Sequence, residues 1–217
     1  MKLTISTALL AVLVPATALA QAEIPTDGIG IYRDLDACYF CGVPAPYAFE
    51  TAYLIALNPS DLAGISRWEG RLYTSPDPLL AGLNVTLAGG GVNDLAAPDF
   101  SVTLPTPLPW SQTVLLATLT TFYLGGPLLL GIGPCQPSSV GDPASPAYLG
   151  ATPGLSWRRL TLATWVWEYM PGEPEVRAAF ALNNGDYGCG HAYVRSPWCF
   201  SVPTEPQSWG AIKGLYR

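Results

Sequence analysis

Runs of four to eight apolar or β-branched residues recur along the chain, each bounded by Gly, Pro, Asn or Asp. This spacing predicts strands at Gly28–Arg33, Tyr47–Leu57, Ile65–Thr74, Asn84–Ala88, Asp99–Leu104, Thr113–Tyr123, Leu128–Ile132, Leu160–Tyr169, Val176–Leu182 and His191–Val194. Turn signals separate them at Asn58-Pro59-Ser60, Ser75-Pro76-Asp77-Pro78 and Gly89-Gly90-Gly91. Segments with helical periodicity are scarce. The pattern is that of an all-β chain folded as a two-sheet antiparallel β-sandwich with a small C-terminal extension.

Two strands carry informative alternation. Between Ile65 and Tyr73, Arg67, Glu69 and Arg71 share one face, while Ser66, Trp68, Gly70 and Leu72 share the other, which is expected to pack inward. Between Leu160 and Tyr169, Trp165, Trp167 and Tyr169 fall on one face and Leu160, Leu162 and Val166 on the opposite one. A strand packed on both sides produces this. So does a flat aromatic platform for sugar rings, which makes Trp165, Trp167 and Tyr169 candidate ligand-binding residues.

The start of the chain breaks the strand pattern. Lys2 precedes an apolar run that includes Leu9–Val14, and Ala18-Leu19-Ala20 supplies a small-x-small cleavage signal, so residues 1–20 read as a cleaved signal peptide. The organisation expected for the remainder is a sandwich over 21–170, a probable hairpin extension over 171–202, and a linker with a short helix over 203–217. A second apolar run, Thr113–Ile132, contains Thr118, Thr120, Thr121 and Gly125-Gly126-Pro127. It reads as two buried strands joined by a turn, with no membrane span in the mature chain.

Composition narrows the function. The 217 residues are 49% hydrophobic and 12% charged, with 22 Gly and 22 Pro, which excludes a disordered chain and a long helical bundle. The net charge is −6 and no basic run occurs, so nucleic acid is not an expected partner. Loss of Lys2 with the leader leaves nine basic and sixteen acidic side chains, a net charge of −7. Such a surface disfavours anionic membranes.

Few residue groups suggest chemistry. In an exported chain Cys38, Cys41, Cys189 and Cys199 are disulfide candidates; Cys189 with Cys199 is the favoured pair, and the odd count leaves one cysteine over. Cys38 and Cys41 have redox spacing but lie in a Pro-rich stretch rather than at a helix start. Cys38, Cys41, Cys189 and His191 do not have the spacing of a compact zinc module, and no metal site is assigned. His191, the only histidine, reads as structural, since no nucleophile elbow accompanies it. Calcium is a weaker expectation at Asp34-Leu35-Asp36 and Asn183-Asn184-Gly185-Asp186, neither of which has an EF-hand ligand ladder; no other cofactor is expected. Near the C-terminus, Ser208 can cap a short helix placing Trp209, Ile212 and Leu215 on one side, a segment suited to docking or attachment.

Residues from about Gly28 to Tyr169 resemble the cohesin-type β-sandwich of exported bacterial proteins. The resemblance is carried by Gly28-Ile29-Gly30-Ile31-Tyr32, Ala52-Tyr53-Leu54-Ile55, the loop Leu62–Ser66 leading to Trp68 and Glu69, Pro78-Leu79-Leu80 and Val114–Leu119. It implies a non-catalytic module that binds an extracellular protein or polysaccharide, and it transfers no functional residue. The expected role is therefore a secreted or cell-surface binding or structural module rather than an enzyme. The alternatives are an extracellular glycoside hydrolase using a carboxylate pair and an envelope-layer building block.

Overall fold

The computed structural model describes residues 24–42, 44–75, 82–126, 128–141 and 143–163, together with the backbone of 178–182. In chain order the strands are β1 (Gly28–Tyr32), β2 (Cys41–Gly42), β3 (Ala48–Leu57), β4 (Ile65–Ser75), β5 (Asn84–Leu87), β6 (Val92–Asn93), β7 (Asp99–Leu108), β8 (Thr113–Tyr123), β9 (Leu128–Gly133), β10 (Ala147–Gly150), β11 (Arg158–Arg159), β12 (Thr161–Leu162) and β13 (Ala178–Leu182). The first sheet has the order β12-β1-β3-β8-β5. The second runs β11-β10-β4-β9-β13-β2, with β7 also paired to β4 and β6 to β7. All pairings are antiparallel except β1 with β12 and β2 with β13. Among the described residues no helix is long and apolar enough to cross a membrane.

The sheets pack face to face because each strand sends alternate apolar residues inward. Ile29 and Ile31 of β1, Leu54 of β3 and Leu116 and Leu119 of β8 meet Trp68, Leu72, Val102, Ile132 and Tyr148 in one buried cluster. Trp68 has no exposure and lies parallel to Phe100, ring centroids 6.0 Å apart. Its strand behaves as the alternation predicts: Trp68 and Leu72 face the core, and Arg67 and Arg71 face away.

The turn after Tyr123 also forms where expected, but the strands on either side of it do not pair. β8 belongs to the first sheet and β9 to the second, so this turn carries the chain from one layer to the other. β7 continues through Pro105 and Pro107, beyond the predicted end at Leu104. Among the described residues β6 meets β7 only at Val102 and Thr103, and no strand pairs with that edge beyond them, so a missing N–H is tolerated there. β10 and β11 are too short to leave a periodic signal. Of the predicted strand Leu160–Tyr169, only the start is described, as β12; His191–Val194 and the C-terminal helix lie outside the described residues.

Trp68→Ala should cost about 3–5 kcal/mol, because the two sheets cannot collapse onto the vacated volume, and Trp68→Phe should cost less. Denaturant unfolding monitored by circular dichroism measures both. A cost for the alanine variant below that of Trp68→Phe would contradict this placement of the core.

Candidate functional site

The polar side chains gather in two places, and both are tied into the fold. At the sandwich end where β1 begins, Tyr148 Oη donates to Asp27 Oδ1 at 2.7 Å, joining the second sheet to the first. Ser60 donates to the same carboxylate from its backbone N–H (2.8 Å) and its hydroxyl (2.7 Å), and Arg158 Nη1 donates to Ser60 Oγ at 2.8 Å. Beside them Asp61 accepts from the N–H and hydroxyl of Thr152, at 2.9 and 2.7 Å, and from the N–H of Ala63 at 3.0 Å. The backbone at Gly150 passes so close that a Cβ there would collide with the Asp61 carboxylate.

The chemistry of this cluster is that of a fastener. Burial pushes the Asp61 carboxyl upward, but the Thr152 and Ala63 donors and the Arg158 charge outweigh it and hold the group below its ordinary range. A glycosidase acid needs the opposite shift, so Asp61 is unsuited to that role. Burial, together with the neighbouring Asp27 carboxylate, raises the Tyr148 hydroxyl above its ordinary range and keeps it a donor.

The second cluster lies on the outer face of β4. Glu69 is only 1% exposed, because the segment after β9 crosses it: Ser139 N–H and Ser138 Oγ donate to Glu69 Oε1 at 2.7 and 3.3 Å. Arg71 reaches both Asp99 and Gln136 at 3.3 Å, and Arg67 pairs with Asp94 at 3.4 Å beneath the Trp157 ring. Cys135, buried here, is the free cysteine among the described residues. Burial and the Glu69 and Asp99 carboxylates push its thiol up to about 11.

Cys38 and Cys41 are each engaged in a disulfide. Asp34 Oδ1 accepts from the N–H groups of Cys38 (2.9 Å) and Tyr39 (2.8 Å), so this carboxylate caps the turn. Among the described residues no group of three or more His, Cys, Asp or Glu is arranged to hold a metal ion. The Cys38–Cys41 turn folds over the outer face of β1 and the end of β3, where Ala37 and Phe40 pack with Tyr32, Ile55 and Leu57. Gly30 admits this cover, since a Cβ there would meet the Tyr32 ring.

Beyond that turn the same outer face carries exposed aromatic groups, while Tyr53 lies partly buried against the Tyr32 cluster. Register places Phe49 opposite Phe122, then Thr51 opposite Thr120 and Asn84, then Tyr53 opposite Thr118 and Thr86. These three ranks contain no charged residue. Phe49 is 75% exposed and Phe122 42%, in edge-to-face contact at 5.1 Å, with Tyr47 (73%) and Leu124 also exposed beside them. Of the candidates read from the sequence, Trp165, Trp167, Tyr169, Cys189, Cys199, Trp209, Ile212 and Leu215 lie outside the described residues. The lane over β3, β8 and β5 was not anticipated.

Two outcomes follow from these geometries. Asp61 has a folded pKa below its ordinary value of 3.8, so its contribution is full above that value and lost as pH falls through the folded one. Asp61→Asn should therefore lower stability near neutrality, by roughly 1–3 kcal/mol, and flatten the acid limb of stability against pH; an acid limb as steep as the wild type's would contradict the assignment. Cys135 should resist alkylation at pH 8 in the folded protein, where about one thiol in a thousand is ionised, and react on denaturation. Peptide mapping after iodoacetamide treatment reads this directly.

Searches of protein-family models, curated proteins and solved structures find no match to this chain.

Proposed function

We propose that the protein is an exported, non-catalytic binding module that holds carbohydrate on the outer face of its first sheet. The observation that carries this reading is the set of three uncharged ranks, in which exposed phenyl rings adjoin hydroxyl and amide side chains in cross-strand register. A sugar ring is amphipathic in the same sense: its C–H faces suit an aromatic ring and its hydroxyls suit Thr and Asn. Exposed aromatic groups of this size on a single sheet face are otherwise a liability in solution.

Two further features support the reading. Residues 1–20 have the composition of an export leader, which would deliver the protein to polysaccharide outside the cell. The cohesin-type resemblance points to the same class of non-catalytic exterior module. The two polar clusters add no competing chemistry, because their carboxylates are engaged in holding segments together.

Affinity electrophoresis of the oxidised protein through gels containing soluble polysaccharides tests the proposal. At least one polymer should retard it. Phe49→Ala and Phe122→Ala should each weaken that retardation about tenfold, ~1.4 kcal/mol, with the thermal unfolding transition retained. Retardation that survives in both variants would move the site elsewhere, and no retardation by any polymer would remove carbohydrate in favour of a protein partner.

A further inference from the structure

We infer that the ligand of this lane is an uncharged, extended polysaccharide rather than a single sugar or an acidic polymer, an inference that rests on the carbohydrate reading above. The first argument is charge. Phe49, Thr51, Tyr53, Thr118, Thr120, Phe122, Asn84 and Thr86 include no ionisable acid or base near neutral pH, although the protein carries a net charge of −6. Glu50, between Phe49 and Thr51 on β3, is paired with Arg33 at 2.8 Å. An acidic polymer would meet no cation in the ranks and a net repulsion from the protein as a whole. A neutral polyol meets only groups that match its own hydroxyls and C–H faces.

The second argument is length. Phe49 and Tyr53 lie four residues apart on β3, so about 13 Å separates the aromatic groups at the two ends of the lane. That exceeds one pyranose ring. The hydroxyl and amide rank of Thr51, Thr120 and Asn84 falls midway between them.

The lane also has a definite outline. The buried cluster of Tyr32, Ala37, Ile55 and Leu57 closes it at Tyr53, which packs partly against that cluster, while among the described residues β5 is the edge strand on the other side. A chain engaging both ends must therefore span the middle rank, so the central residues should contribute to affinity.

The test uses the whole oxidised protein with two sets of polymers: neutral ones (β-glucan, xylan, mannan) and acidic ones (alginate, polygalacturonate). Each is run at about 0.05 M and about 0.5 M salt, with monosaccharides and oligosaccharides as competitors. Retardation by a neutral polymer, insensitive to salt and competed by the oligosaccharide but not the monosaccharide, is the expected result. Thr120→Val and Asn84→Ala, both on the outward face, should each reduce that affinity about threefold to tenfold. A preference for acidic polymers that fades with salt, complete competition by a monosaccharide, or unchanged affinity in both variants would overturn this inference while leaving carbohydrate binding intact. Absence of retardation by every polymer would instead overturn the reading on which it rests.

Discussion

The arrangement of this molecule depends on the hydrogen bond from Tyr148 to Asp27. Two packed sheets bury their inward faces, but their ends hold backbone and side-chain polar groups that need partners. Tyr148 stands on β10 of the second sheet, and Asp27 immediately precedes β1 of the first, so this contact fixes one layer against the other at that end. Ser60 on the same carboxylate, with Arg158 on Ser60, then holds the β3–β4 connection and β11 to the same point. Asp61 secures Thr152 beside them. With the β10–β11 connection anchored, Trp157 and Arg159 lie across the outer side of the second sheet, where Arg67 and the carbonyl of Val140 receive them.

The two outer faces differ in what lies across them. On the second sheet, the alternation of Arg67, Glu69 and Arg71 suggests a solvated face, yet Glu69 is buried under Ser138 and Ser139. The alternation correctly gives the side of the strand on which Glu69 stands. It carries no information about a segment nearly 70 residues away that folds across it, because that contact depends on where β9 ends and on how the following turn is tied to Asp99 through Gln136 N–H. The strands themselves were legible wherever an apolar period of two persisted, as in β3, β4 and β8. They were illegible where pairing is brief, as in β2, β6, β10 and β11, whose two to four residues cannot display a period.

The candidate lane was half legible. Phe49, Thr51 and Tyr53 alternate on β3, and Thr118, Thr120 and Phe122 on β8, so each uncharged set could be read from its own strand. Their union could not, since it depends on a register that pairs Phe49 with Phe122 and Thr51 with Thr120 across about 70 positions of sequence. β5 then adds Asn84 and Thr86 through a second register. The Trp165, Trp167 and Tyr169 stripe is the more conspicuous pattern in the sequence, and these shorter ones contain no tryptophan.

An exposed sheet face ordinarily keeps charged side chains among its outward positions, because they oppose edge-to-edge association and maintain solubility. The second sheet follows that rule with Arg67 and Arg71 and their acidic partners. The first sheet follows a different one: the β1 side is covered by the turn around Ala37 and Phe40, and the three outward ranks of β3, β8 and β5 hold no charged residue. Threonines in such ranks favour the strand conformation and still present hydroxyls, so they stabilise the sheet without closing it to a ligand. Phe49 and Phe122 gain about 0.5–1.5 kcal/mol from their mutual contact, while leaving much of their surface in water. That pairing offsets only part of the cost of exposure, and a neutral ligand with apolar C–H faces would offset more of it while keeping its own hydroxyls bonded to the adjoining rank.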